Sequence, residues 1–144
     1  MSTEENKALV RRWFEDGFNA HNLAIMNELF APDFVEHTSY GPPTQSRDAA
    51  RQGLAGSFTA MPDMRVTVED MIAEGDKVVT RFIMQGTQRG AFMGIPATDK
   101  AVTTTNIAIM RFENGKIAEN WVESDTLGMM RQLGVIPAPG QAPS

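Results

Sequence analysis

Apolar residues recur at helical spacing in the first sixty residues and at every second position after about residue 64. Val10, Phe14 and Phe18 lie four apart, flanked by Leu9 and Trp13. Glu4, Lys7, Arg11, Arg12 and Glu15 fall largely elsewhere on the wheel. Ser2-Thr3-Glu4-Glu5 ahead of them is a capping box, so the pattern predicts a helix over residues 3–19. Asn22 opens a short second helix over 23–30, which Pro32 stops. Phe34-Val35-Glu36-His37 reads as a short extended piece running into the turn-rich segment 38–43. Ser46 caps a third helix through about residue 59, with Ala50, Leu54 and Phe58 as its apolar stripe.

The period-two segments predict strands over 65–74, 77–87, 102–112 and 116–125, then a short helical piece over 127–133. Between the second and third strands, residues 89–100 form a loop that is apolar for a loop. It holds Phe92, Met93 and Ile95, so it is expected to fold over something. Residues 135–144, with Pro137, Pro139 and Pro143, are expected to be a flexible tail. Helices followed by strands indicate one α+β domain over residues 1–134. Its helices pack on one face of a strongly curved antiparallel sheet, and such a cone encloses a pocket.

Asn114-Gly115 between two apolar runs is a strong signal for a type I′ hairpin. With Asn114 and Gly115 as the two loop residues, Phe112 faces Ile117, Met110 faces Glu119, Ala108 faces Trp121, Asn106 faces Glu123 and Thr104 faces Asp125. Ile117, Glu119, Trp121, Glu123 and Asp125 then share one face with Phe112, Met110, Asn106 and Thr104. Carboxylates and a tryptophan together suggest a pocket wall with Asp125 at its far end. Thr103, Thr105, Ile107, Ile109, Ala118, Asn120 and Val122 would make the outer face, apolar enough to suggest a homodimer or higher homo-oligomer.

Composition narrows the chemistry. A net charge of -5 without a basic stripe argues against nucleic acid. With no cysteine, thiolate nucleophiles and thiolate metal sites are excluded. The two histidines, His21 and His37, lack metal-ligand spacing, and no metal is expected. No phosphate loop or dinucleotide fingerprint is present, and no cofactor is expected. There is no bilayer-spanning run and no signal-like N-terminus, so no membrane partner is expected and a cytoplasmic location is the default. Ten methionines suit either a compliant lining for a small hydrophobic or aromatic ligand or ordinary core packing.

The chain resembles the SnoaL-like polyketide cyclase (ester cyclase) family of the NTF2-like, cystatin-like cone. The matching residues are Asn6-Lys7, Val10-Arg11, the run from Leu29 to His37, Met61-Pro62-Asp63, and Ile72 to Val79 with Arg81. Gly86-Thr87, Gly90 to Pro96, Gly115-Lys116-Ile117, Glu119, Trp121, Asp125 and Leu127-Gly128 complete them. The resemblance implies a cofactor-independent intramolecular aldol closure of a polyketide-like ester, with Asp125 as general acid/base and His37 near the pocket. Burial beside Trp121 and Phe112 would raise the pKa of Asp125 toward that task. Trp13, Tyr40, Gln88, Asn106, Trp121 and Phe92 are the candidate substrate-binding residues. Gln88 stands where members often carry histidine, and an amide can hydrogen-bond but not shuttle a proton. Two alternatives stand beside this reading: a non-catalytic small-molecule binding protein, or an isomerase or hydratase acting on a small hydrophobic ketone.

Overall fold

The computed structural model describes residues 2–137, 139 and 140. Of the tail expected to be flexible, residues 138 and 141–144 lie outside the described residues. At the other end, the Ser2 hydroxyl accepts the Glu5 N–H while the Glu5 carboxylate accepts the Ser2 N–H. From this capping box α1 runs Thr3–Arg12 and widens into a π-helical turn, Trp13–Phe18. Gly17 permits the wide turn, because a β-carbon there would lie 2.5 Å from the Trp13 ring and 2.9 Å from Ile25. π-helical turns of this kind are often found at functional sites.

A 3-10 turn, Leu23–Ile25, leads into α2, Met26–Leu29. The helix is shorter than the sequence suggested, because the backbone becomes extended at Phe30 and β1 takes over, Phe30–Thr38. Pro32 is inside this strand, where the pairing with its neighbour is interrupted between Phe30 and Val35. A residue without an N–H is tolerated at such a gap. β2 (Thr44–Gln45) pairs with β1, and α3 (Arg47–Ala60) starts where the Ser46 hydroxyl accepts the Ala49 N–H. β3 (Arg65–Glu74), β4 (Lys77–Thr87), β5 (Ala101–Glu113) and β6 (Lys116–Ser124) form a meander, followed by α4, Thr126–Gln132.

The sheet order is β2-β1-β6-β5-β4-β3. The fold is the expected α+β cone, open rather than closed, with helices packed on a curved six-stranded sheet. One point is corrected: the sheet is mixed, because β6 returns beside β1 in a parallel direction. A crossover through α3 and β3 to β5 separates the two strands in sequence, which parallel pairing requires.

The hairpin turn forms as its sequence dictates, with Asn114 at φ 52° and Gly115 at φ 77°. Phe112 pairs with Ile117 as expected. A β-bulge follows at once: Arg111 pairs with Glu119, Met110 with Asn120, Ile109 with Trp121 and Ala108 with Val122. Ile117 and Ala118 are both buried, the mark of the extra residue. A slip of one residue exchanges the two faces of a strand. Asn120, Val122 and Ser124 therefore turn inward with Asn106, Ala108 and Met110, while Glu119, Trp121 and Glu123 turn outward with Arg111, Ile109 and Ile107. The expected wall of Glu119, Trp121 and Glu123 is overturned by this bulge. So is the expected outer position of Asn120 and Val122, which line the interior.

The core runs along the concave side of the sheet, where Val10, Trp13, Phe14, Phe30, Phe34, Val78, Met110 and Ile117 are all buried. Among the described residues no helix is long and apolar enough to cross a membrane.

Gly17→Ala will push a methyl group into the Trp13 ring. Overpacking of that kind costs about 1–3 kcal/mol, to be read as a lowered midpoint in urea unfolding with unchanged slope.

Candidate functional site

Between the helices and the concave sheet face lies a cavity of about 160 Å³. Trp13, Phe14 and Phe18 from the first helical stretch and Leu54 from α3 form one wall. Phe82 and Met84 from β4 and Ala108 and Met110 from β5 form the other. The polar groups in this lining are Glu36, Tyr40, Ser57, Asn106, Asn120 and Ser124; among the described residues no lysine, arginine or histidine contributes. An apolar hollow with a few convergent polar groups is the usual form of a small-molecule site.

Glu36 is the one carboxyl of the lining, and strand alternation puts it there. Phe34 is buried in the core, so Glu36 two residues on takes the same face of β1 and His37 takes the other. The Asn120 side-chain amide donates to Glu36 Oε2 at 3.0 Å. Asn120 Oδ1 is buried with no hydrogen-bond partner in the protein. Burial pushes the Glu36 carboxyl above the usual glutamate range, against the smaller pull of the Asn120 hydrogen bond. Tyr40 stands at the rim, 52% exposed. Enough of it is turned inward that burial, then the Glu36 charge, push its phenol up.

A second hollow of about 50 Å³ continues the first toward the mouth, sharing Tyr40, Met84, Phe92, Asn106 and Ser124 with it. Asp125 lines this outer part. It is exposed, and its Oδ1 accepts the Gly128 N–H at 2.9 Å, capping α4. The environment expected around it is corrected: Trp121 lies on the opposite sheet face and Phe112 is not in the hollow that Asp125 lines.

The other candidates divide. Trp13, Tyr40, Asn106 and Phe92 line the cavity. Asn106 donates its amide N–H groups to Thr104 O and Oγ1, at 3.1 and 3.2 Å. Phe92 reaches the cavity from the loop after β4, as the apolar character of that loop suggested. Gln88 does not line it. Fully buried, Gln88 donates to Ile95 O at 2.9 Å and Pro96 O at 3.2 Å and accepts from Thr98 Oγ1 at 2.7 Å, stitching the loop together.

His37 and Trp121 meet on the convex face instead. Their rings stack at 5.4 Å and 10°. His37 Nε2 is 2.6 Å from Glu119 Oε2, and Arg111 Nε donates to Glu119 Oε1 at 3.3 Å. The His37 hydrogen bond, then Arg111, hold the Glu119 carboxyl below the usual range. Sequence reasoning missed Glu36 and Asn120. The signal for Glu36 was the alternation from Phe34; the signal for Asn120 was the bulge, which a hairpin turn alone does not announce. Among the described residues no cluster of three or more histidines and carboxylates is placed to hold a metal ion.

Two measurements check this geometry. The chain has two tryptophans, now on opposite sides of the sheet. An apolar quencher that enters the cavity will quench Trp13, so Trp121→Phe keeps the saturable quench and Trp13→Phe abolishes it. The second concerns pH. The raised Glu36 carboxyl binds its proton more tightly folded than unfolded, so its contribution to stability is complete below the usual glutamate range and is lost as pH rises toward the raised value. Glu36→Gln removes that loss. Relative to the parent, the variant's Tm will gain between about pH 4 and pH 8, read by thermal denaturation at both.

Comparison with known proteins agrees with this architecture. The family model described as SnoaL-like polyketide cyclase matches residues 8–133. Nogalonic acid methyl ester cyclase of Streptomyces nogalater is 25% identical over 119 residues, 81% of this chain and 89% of its own. IdmH of Streptomyces antibioticus is 31% identical and superposes with a TM-score of 0.77, covering 89% of this chain and 97% of its own. TsrD of Streptomyces laurentii, 25% identical, superposes at 0.85, covering 94% and 99%. The chain belongs to the SnoaL-like polyketide cyclase family.

Proposed function

We propose that the protein is a cofactor-independent cyclase that closes a ring in a polyketide-like ester by intramolecular aldol addition. The observation that carries this reading is the half-open apolar cavity whose wall, among the described residues, holds a carboxyl and two amides but no cation. A neutral ester suits that lining; a free carboxylate would be desolvated without a partner. The relative from Streptomyces nogalater is, by its name, a cyclase of a methyl ester.

The chemistry needs a base for the proton α to a carbonyl. Asp125, at the mouth of the cavity, is the residue the family resemblance nominates. Its carboxylate takes the α-proton. The enolate carbon then bonds to a second carbonyl carbon of the folded substrate, whose π electrons move to oxygen, and the alkoxide receives a proton. The substrate's own carbonyls serve as electron sinks. Trp13, Phe14 and Phe82 supply shape, and holding one reactive conformer removes part of the entropic barrier.

A second reading is favoured by size. The main hollow, about 160 Å³, is below the roughly 300–1,000 Å³ of typical drug-sized ligand sites. A small hydrophobic ketone, isomerised or hydrated by the same proton transfer, fits it without rearrangement of the loop that carries Phe92.

Asp125→Asn tests both. Asparagine caps a helix as well as aspartate, so the fold is retained. Turnover of a polyketide ester, or α-deuterium exchange of a small cyclic ketone, will fall by about 10²–10⁴-fold. A loss below about tenfold removes Asp125 from the proton transfer, and ligand binding without turnover in the parent identifies a binding protein instead.

A further inference from the structure

We propose that Glu36, held in place by Asn120, is the hydrogen-bond donor that meets the substrate oxygen on which negative charge develops. Its chemical role rests on the proton-transfer reading above; its ability to donate to an occupant does not.

The geometry points this way from three independent sides. Glu36 is the one carboxyl lining the main hollow, among Trp13, Phe14, Phe82 and Met110. One of its oxygens is fixed by the Asn120 amide at 3.0 Å, which sets the plane of the group. Asn120 is itself 4% exposed and its Oδ1 has no partner in the protein. A buried acceptor left open beside a carboxyl is costly unless an occupant completes the set. Among the described residues, the π-helical turn and α3 present only Trp13, Phe14, Phe18, Leu54 and Ser57 to the cavity. Of the titratable side chains facing Glu36 from surrounding elements, Tyr40 shares its wall and Asp125 stands in the outer hollow.

Of the two carboxyl groups lining the connected hollows, one is exposed and one half-buried, a difference of environment that suits them to different tasks. Burial favours the protonated form of Glu36, and in that form the carboxyl is a donor. As the new carbon–carbon bond forms, the carbonyl oxygen gains the electron pair. The Glu36 O–H then shortens its hydrogen bond to that oxygen and hands the proton over. Glu36 is left as carboxylate and recovers a proton from the one Asp125 removed, carried by water at the mouth, so no proton is gained or lost. The ligand class follows: a neutral molecule that presents a ketone or ester carbonyl to the Glu36 O–H and an O–H donor to the open Asn120 Oδ1.

Three variants and one probe test the proposal on the full-length chain. Glu36→Gln keeps the size and a far weaker donor, Glu36→Leu removes the donor, and Asn120→Leu frees the carboxyl. The probe is 2-naphthol, whose conjugate base mimics an oxyanion and accepts the Glu36 O–H, followed by Trp13 quenching. Carboxyl carbon-13 NMR of the parent will show one glutamate, absent in Glu36→Gln, titrating above the usual range and higher again with 2-naphthol bound. Glu36→Gln and Glu36→Leu will each weaken 2-naphthol by at least about tenfold and lower ester turnover by about 10²–10³-fold, with Tm not reduced at neutral pH. Asn120→Leu will lower turnover less and shift its pH profile. An ordinary titration of Glu36, or 2-naphthol affinity within about threefold of the parent in Glu36→Leu, overturns the proposal. If the parent turns over no ester while the NMR and 2-naphthol results hold, the cyclase reading has failed and this one stands.

Discussion

The interior of this protein is decided by a single extra residue. The β-bulge between Arg111–Phe112 and Ile117–Glu119 rotates β6 by one position just after its tight turn. Without it, two glutamates and a tryptophan would face the helices, and the apolar surfaces of α1 and α3 would have carboxylates to cover. With it, Asn120, Val122 and Ser124 face the hollow, and Glu119 and Trp121 find partners in Arg111 and His37 on the convex side. Burying an unpaired carboxylate costs several kcal/mol, far more than the lost ladder bonds of a bulge. The same arithmetic makes the one carboxyl that does stay inside, Glu36, an exception needing a reason.

Much of the fold was legible in the chain. The Ser2/Glu5 capping box, the Ser46 cap, the Asn114-Gly115 turn and the period-two runs are local codes, and each formed where its residues said. What failed was non-local. The parallel pairing of β1 with β6 depends on where a strand returns after eighty residues, and no local pattern states it. Pro32 reads as a helix stop, yet it sits in a strand at a gap in the pairing. The site was half legible: Trp13, Tyr40, Phe92 and Asn106 line the cavity, while Trp121 and His37 went to the other side because their faces hung on the unsignalled bulge. His37 and Glu36 are neighbours in the chain, and strand parity gives the cavity to the carboxyl and the convex face to the imidazole.

The arrangement also shows how stability and chemistry are traded within one strand. Phe34 contributes burial, and Glu36, two positions along on the same face, takes some of it back. Asn120 lessens the loss through one hydrogen bond and leaves its own carbonyl open. Sites that weaken a fold in this manner are characteristic of working surfaces rather than of packing.

Gln88 gives the molecule a modular quality. Its amide ties Ile95, Pro96 and Thr98 to the end of β4, so the segment carrying Phe92 is braced from its own base rather than by the cavity it covers. The roof over the hollow is thus tied at its base, and Ile95 anchors it to the core cluster of Phe58, Met61 and Val102. Residues between that base and Ile95 set the height of the roof, so a change of bulk there alters the size of guest the hollow admits while the sheet that lines it stays untouched.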